Sequence, residues 1–345
     1  INASDDILPN TTLEIADGDT ETDPDTGLSE ARRLVQQDNI DMMAAATSSS
    51  VASVLSEYAT SQDMLPTLIQ AADRALTTGE DCRMSTYRPN PHTHQAGDLA
   101  GQWLTEEFGD QGFVLYQDYS YGAATREGVG RGVEKAGGEI IEDAATPLGN
   151  QQFESVIDRI DSADPDWLLM GAVGTGATAF LSQAANRGLD VPMGSQSLPA
   201  YNTGEVGADI IDQFSDLYRT PALYTREIDT EANNQHVQAF QDEYGIPPNY
   251  SSETGYQVGR FIGEGIHEAG TIVPSEARSA LEGITIQSAR GENTIRACDH
   301  QGTPPLYIAQ VTGVDEELGL GTHEIIEQVD SADYTTPCED IECQM

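Results

Sequence analysis

The chain has 345 residues and carries 58 Asp and Glu against 16 Lys and Arg, a formal charge of −42. Such a surface repels phosphate backbones and anionic lipids, which argues against nucleic-acid and membrane-surface binding. A hydrophobic fraction of 38% is too high for a disordered acidic segment, and the length accommodates two domains of ordinary size.

In chain order, INASDDILPNTTLEIADGD reads as the end of a helix, a loop and a strand over TLEIAD. An earlier strand and most of a first helix are expected to be missing from this start. The acidic stretch from Asp17 to Asp25 offers alternating carboxylates. An EF-hand loop, however, needs Gly at its sixth position and Glu at its twelfth, where Thr22 and Leu28 stand. It reads as a solvated loop. GLSEARRLVQQ follows as a helix with Leu28, Ala31, Leu34 and Val35 at helical spacing, then IDMMAAA as a strand. SSSVASVLSEYATSQ is the next helix, LPTLIQA a strand, RMSTYR a short extended piece and HTHQAGDLAGQWLTEEFG a helix. The alternation restarts with FVLYQD, YGAATREGVGRGVEKAGG, EIIEDAATPL, FESVIDRIDSAD, DWLLMGAV, GATAFLSQAANRGL and VPMGSQ. Strands alternating with helices of this length predict parallel sheets covered on both faces, and the split near residue 90 predicts two doubly wound domains. The last third is mostly helical until TIRAC and PLYIAQVTG. With too few strands for its own sheet, it is expected to pack back onto the earlier domains.

Chemistry-bearing motifs are sparse. No G-x-S-x-G elbow, P-loop or H-E-x-x-H occurs, and Gly171-Ala-Val-Gly-Thr-Gly176 has the wrong spacing for a dinucleotide loop. His92, His94 and His300 form no constellation with a nucleophile. No catalytic residue, cofactor or metal is therefore expected. The run Thr47-Ser-Ser-Ser50 is more informative, because it follows an apolar strand and opens a helix. Hydroxyls and free backbone N–H groups there suit a carboxylate, whereas a helix cap would use one serine of the three. Cys82, Cys298, Cys338 and Cys343 lack metal-site spacing. An even count without a redox motif fits two disulfides and an oxidising, extracytoplasmic setting, with four free cytosolic thiols as the alternative. Cys338 and Cys343 are near enough to close a small loop, while Cys82 and Cys298 depend on the fold. No apolar run is long enough to span a membrane. The lone lysine, Lys135, and the acidic excess predict life in strong brine, where a Debye length of about 3 Å at 1 M salt screens self-repulsion.

The segments ARRLVQQDNIDMMAAATSSS, LPTLIQAAD, FVLYQDYSYG, DPDWLLMGAVG, ANRGLDVPMGS and IRACDHQGTPPLYIAQV together span most of the chain. In this order they resemble the leucine/isoleucine/valine-binding-protein family of ABC-importer receptors, with the type I periplasmic-binding-protein fold. The resemblance implies an α/β protein of two doubly wound parallel-sheet lobes joined by three crossovers, closing on a small ligand in the interlobe cleft. Lobe 1 is expected over 1–89 and 226–300, lobe 2 over 90–225 and 301–345. It implies ligand contacts from Ser48 and Ser49, from Ala71, Ala72 and Asp73, from Tyr121, and from Gln196. Asp73 replaces a usual Ser or Thr, and Gln196 replaces the acid that pairs with the ammonium of amino-acid ligands. A buried ammonium needs that charge, so either Asp73 supplies it to a branched-chain or other amino acid, or the ligand is an amide, a urea-like compound or a short carboxylate. Cys82 and Cys298 would both lie near the hinge, where a disulfide ties the crossovers and its reduction lowers stability but spares affinity. The implied protein is a monomeric, non-enzymatic receptor, secreted or lipid-anchored on a halophilic archaeon, that hands its ligand to the transmembrane subunits of an ABC permease. A ligand-sensing regulatory domain with the same clamp, and an α/β enzyme, are the alternatives.

Overall fold

In a computed structural model of the chain, the described residues are 12–45, 48–65, 67–196, 198–341 and 343. The helix end expected before residue 12 lies outside them, as does Thr47 of the serine run. The chain separates into two compact units, one of residues 1–92, 251–304 and 335–345, the other of 93–250 and 305–334.

The first unit opens with α1 (Pro24–Arg33), β1 (Ala44–Ala45), α2 (Ser49–Ser61), β2 (Thr67–Ile69) and β3 (Thr86–Tyr87). Asp23 starts α1: its Oδ1 accepts from Thr26 N at 2.8 Å, and Pro24 brings its preset φ to the first helical position. One carboxylate of the acidic stretch is thus a helix cap. The expected strand TLEIAD is not formed. Residues 12–17 join no ladder among the described residues and Ile15 is 95% exposed; Arg33 Nη2 instead donates to Asp17 O at 3.0 Å, and Leu13 packs against the first unit's core. β1, β2 and β3 make a parallel three-stranded sheet with Ala44 opposite Leu68 and Thr67 opposite Thr86.

The second unit contributes α3 (Thr93–Phe108), β4 (Gln111–Gln117), α4 (Ser120–Lys135), β5 (Glu139–Thr146), α5 (Glu154–Ala163) and β6 (Trp167–Gly171). It continues with α6 (Thr175–Arg187), β7 (Met193–Ser195), α7 (Ala200–Val206), α8 (Ala208–Ile211), β8 (Leu217–Ala222) and α9 (Glu231–Tyr244). The chain then returns to the first unit with α10 (Tyr250–Ala269), α11 (Pro274–Leu281) and the hairpin β9 (Thr285–Ser288) and β10 (Gly291–Thr294). It ends its regular strands in the second unit with β11 (Leu306–Asp315) and β12 (Leu320–Val329).

The second unit's sheet has seven strands in the order β12-β11-β8-β7-β6-β4-β5. β5 through β8 are parallel, but β11 and β12 run antiparallel, so the sheet is mixed where the sequence predicts a parallel one. Its two faces bury separate apolar layers. Phe113, Leu115, Leu168, Met170 and Phe180 lie on one; Val114, Leu169, Val129 and Leu104 lie on the other. On that second face α3 and α4 meet through glycines. A Cβ on Gly132 would fall 2.2 Å from Asp98 O, and one on Gly101 would fall 2.3 Å from Val129 O. Lys135 Nζ reaches the buried Asp98 Oδ2 at 2.7 Å along the same seam.

In the first unit, Leu68, Tyr87, Phe261, Leu281 and Ile295 form the main core, backed by a buried Arg290–Glu253 ion pair with Nε 2.9 Å from Oε2. Two disulfides form, but with pairings other than those weighed from the sequence. Cys82 joins Cys343 and Cys298 joins Cys338, with Cα separations of 5.7 and 5.9 Å. The reason is the path of the tail. Residues from Thr335 onward belong to the first unit, and Arg296 Nη2 donates to Thr336 O at 2.7 Å, which carries Cys338 to Cys298. Neither the local Cys338–Cys343 loop nor a Cys82–Cys298 link occurs.

Candidate functional site

Parallel strands send all their carboxyl ends to one edge, and ligands of open α/β sheets bind there, at the point where the strand order reverses. In the second unit β5-β4-β6-β7-β8 is a 2-1-3-4-5 order, which puts the reversal between β4 and β6. Beyond β4 come Asp118 to Tyr121, beyond β6 Ala172 to Gly174, and beyond β7 Gln196. Tyr121 and Gln196 therefore sit at the same sheet edge. In the first unit the equivalent edge carries Ser48 and Ser49 after β1, Gln70 to Asp73 after β2, and Arg88 to Asn90 after β3.

Ser49 and Asp73 are brought into contact: Asp73 N donates to Ser49 Oγ at 3.3 Å. Ser49 is buried, whereas Ser48 is half-buried at the cap position of α2 and its side chain makes no capping bond. Ala71 is buried; Ala72 and Asp73 are half-buried. The Asp73 carboxylate accepts from Ala75 N at 3.0 Å, so it caps the short turn Arg74–Leu76. An aspartate in place of a hydroxyl is explained locally by that cap.

Sequence reasoning missed the residue that fixes this loop. Arg88 is fully buried; its Nη1 donates to Ala71 O at 2.9 Å and to Asp73 O at 2.6 Å. Its Nε donates to Gln301 Oε1 at 2.7 Å and its Nη2 to Thr77 Oγ1. Gln301 in turn donates to Asn90 O at 2.6 Å. One guanidinium thus sets the backbone of the segment after β2. The only sequence signal is an arginine directly after a strand, which ordinarily marks an exposed strand end.

In the second unit Tyr121 is half-buried in the first turn of α4, its ring centroid 5.8 Å from that of Tyr119. Burial, and next the neighbouring Tyr121, push the Tyr119 phenol well above its ordinary pKa, so it is a neutral hydrogen-bonding group at physiological pH. The turn needs the following glycine, because a Cβ on Gly122 would lie 1.8 Å from Gln117 O. Gln117 is fully buried with neither amide atom hydrogen-bonded, and Gln196 is 6% exposed with its Nε2 likewise unpartnered among the described residues. Gly171 to Gly176 forms a tight strand-to-helix connection in which Gly174, at φ 55°, precedes α6. No group of three or more His, Cys, Asp or Glu is placed to hold a metal among the described residues. No helix among them is long and apolar enough to cross a membrane.

Residues 1–316 match the family described as periplasmic binding protein. The chain is 20% identical over 247 residues to the Leu/Ile/Val-binding protein homolog 4 of Brucella melitensis, a match covering 68% of this chain and 57% of that protein. It therefore spans little more than half the length of that curated relative. Among solved structures, it is similar to an amino acid ABC transporter substrate-binding protein from Pseudomonas fluorescens, with TM-score 0.82, 23% identity, and coverage of 95% and 87% of the two chains. A solute binding protein of an ABC transporter from Rhodopseudomonas palustris, in complex with 3,4-dihydroxybenzoic acid, gives TM-score 0.79 and 22% identity over 92% and 86%. These two likenesses establish the fold as the α/β periplasmic-binding-protein type I fold. With the strand order, the edge-placed hydroxyls and amides, and a family match over most of its length, this chain belongs to the periplasmic binding protein family.

Proposed function

We propose that the protein is an extracytoplasmic solute-binding receptor of an ABC importer, a binder and not a catalyst. The observation that carries the reading is the Ser49–Asp73 contact at the carboxyl edge of the first unit's sheet. It sets hydroxyl and backbone groups of two successive strand ends side by side, at the start of a helix whose first N–H groups favour an anion. Ser48, Ser49 and the Ala71–Asp73 segment take the ligand's carboxylate in this reading, and Tyr121 and Gln196 contact the rest of it. Capture by hinge closure, delivery to permease subunits and a monomeric state are part of the proposal. The names of the similar proteins support it, since they include receptors for amino acids and for aromatic acids. The charge of −42 and the single lysine support exposure to brine at the surface of a halophile.

A thermal-shift screen in about 3 M salt, where the charges are screened, tests the reading with amino acids, amides and short carboxylates. A true ligand at 100 times its Kd stabilises the fold by about 2.7 kcal/mol, a rise of several degrees. A panel in which no compound raises the melting temperature sinks the receptor reading.

A further inference from the structure

Three asparagines of the chain head the pattern Asn-x-Ser/Thr with x other than Pro: Asn2, Asn10 and Asn249. In proteins that leave the cytoplasm this pattern is the acceptor of N-linked glycosylation, the transferring enzyme reading the hydroxyl two residues beyond the asparagine. Asn2 and Asn10 lie outside the described residues; Asn249, Tyr250 and Ser251 lie within them.

Asn249 is exposed. It ends the loop of residues 245–249 and stands directly before Tyr250, the first residue of α10. Asparagine is favoured there because its side-chain oxygen can accept from the first N–H groups of the helix. A cap of that kind uses Oδ1, whereas a glycan is carried on Nδ2, so the two roles do not compete. Ser251 is also exposed, in the first turn, and its Oγ accepts from Gln70 Nε2 at 3.3 Å, a long bond at the surface. An enzyme that reads the three residues in extended form has one fraying helical end and one such bond to displace, or neither if it acts before folding. The loop also gives a glycan something to cover. Tyr244 is 65% exposed and Ile246, three residues before Asn249, is 59% exposed, and the Tyr244 ring lies 4.5 Å from that of Phe240. A sugar chain lays bulk over such an apolar strip and turns its own hydroxyls to water.

We propose that Asn249 is an N-glycosylation site, its co-reactant a lipid-linked oligosaccharide phosphate. The Nδ2 nitrogen attacks the anomeric carbon, and the new N–C bond forms as the C–O bond to phosphate breaks. The lipid phosphate leaves with that electron pair, and one Nδ2 proton passes to a base of the transferring enzyme. This rests on the extracytoplasmic reading above, which brings the chain to such a donor.

Trypsin isolates the site. No Lys or Arg lies between Arg226 and Arg260, so one peptide, residues 227–260, holds Asn249 and no second copy of the pattern. In protein recovered from its own cells, that peptide should be heavier than its bare sequence by a whole number of sugar residues. Asn249→Gln and Ser251→Ala should each remove the increment, and Ser251→Thr should keep it, with melting curves confirming that the variants fold. A bare peptide from protein that antibody reaches on intact cells overturns the inference and leaves the receptor reading intact. An increment that survives Ser251→Ala also overturns it, by placing the modification elsewhere in the peptide. A bare peptide from protein that antibody cannot reach on intact cells takes the extracytoplasmic reading with it.

Discussion

His300 has a backbone φ of 55°, in the left-handed region, and its buried ring stacks on Tyr87 with centroids 3.9 Å apart. Burial pulls its pKa down to about 4, with the Thr86 carbonyl opposing and Arg278 adding to the shift. The folded protein therefore holds this imidazole neutral where the unfolded chain, with a pKa near 6.5, protonates it. The resulting stability is complete above the unfolded value, falls as the pH drops below it, and levels off below the folded value. Denaturant titrations at about pH 7 and pH 4.5 should show wild type losing roughly 2–3 kcal/mol more than His300→Asn. Asparagine is the apt replacement because it tolerates the left-handed backbone. Equal losses in both proteins would remove His300 as the cause. At this scale the sequence is legible where a residue's role follows from position after a strand. The Ser49–Asp73 contact is of that kind, since both residues follow parallel strands of one sheet. Arg88 is not, because a buried guanidinium satisfied by carbonyls leaves no periodic trace. Gln117, buried with neither amide atom partnered among the described residues, is equally silent in sequence, whereas Gln196 enters only through the family resemblance.

Helices are the elements the sequence announces best. Their apolar residues recur at the spacing of one helical face, and α1 through α6 fall within or close to the predicted segments. Edge strands are harder. β12, LGTHEIIEQV, alternates burial but carries charges on its open side, so it reads as polar chain, and only its pairing with β11 reveals it. TLEIAD fails in the opposite direction, an alternating segment that pairs with no strand among the described residues. The seam between α3 and α4 tests how close two helices must come. Gly132→Ala should destabilise by about 1–3 kcal/mol, because its methyl group meets Asp98 O at 2.2 Å and forces the helices apart. Gly255→Ala in α10 meets nothing within 4 Å and should instead gain up to about 1 kcal/mol from helix propensity. Opposite signs in paired denaturant curves are the expected outcome; a stabilised Gly132→Ala would refute the packing account.

For the whole molecule, composition is legible in the sequence where connectivity is not. Acidic excess and a single lysine are surface properties and can be read without a fold. Disulfide partners cannot, because they depend on where a tail of the chain comes to rest, and here it returns to the first unit. Reduction in the presence of salt should cost about 4 kcal/mol for the Cys298–Cys338 loop of sequence separation 40, on the chain-entropy account, measurable as a lower melting temperature. The pairings are also nested, one ring inside another, since Cys298 and Cys338 both lie between Cys82 and Cys343. The outer ring encloses the entire second unit, residues 93–250 and 305–334, and with it every passage of the chain between the units. A protease nick anywhere in that span cannot release a fragment. Protein cut once in that span should run as one full-length band without reductant and fall into two pieces with it, so a single broken peptide bond there does not cost the molecule any of its parts.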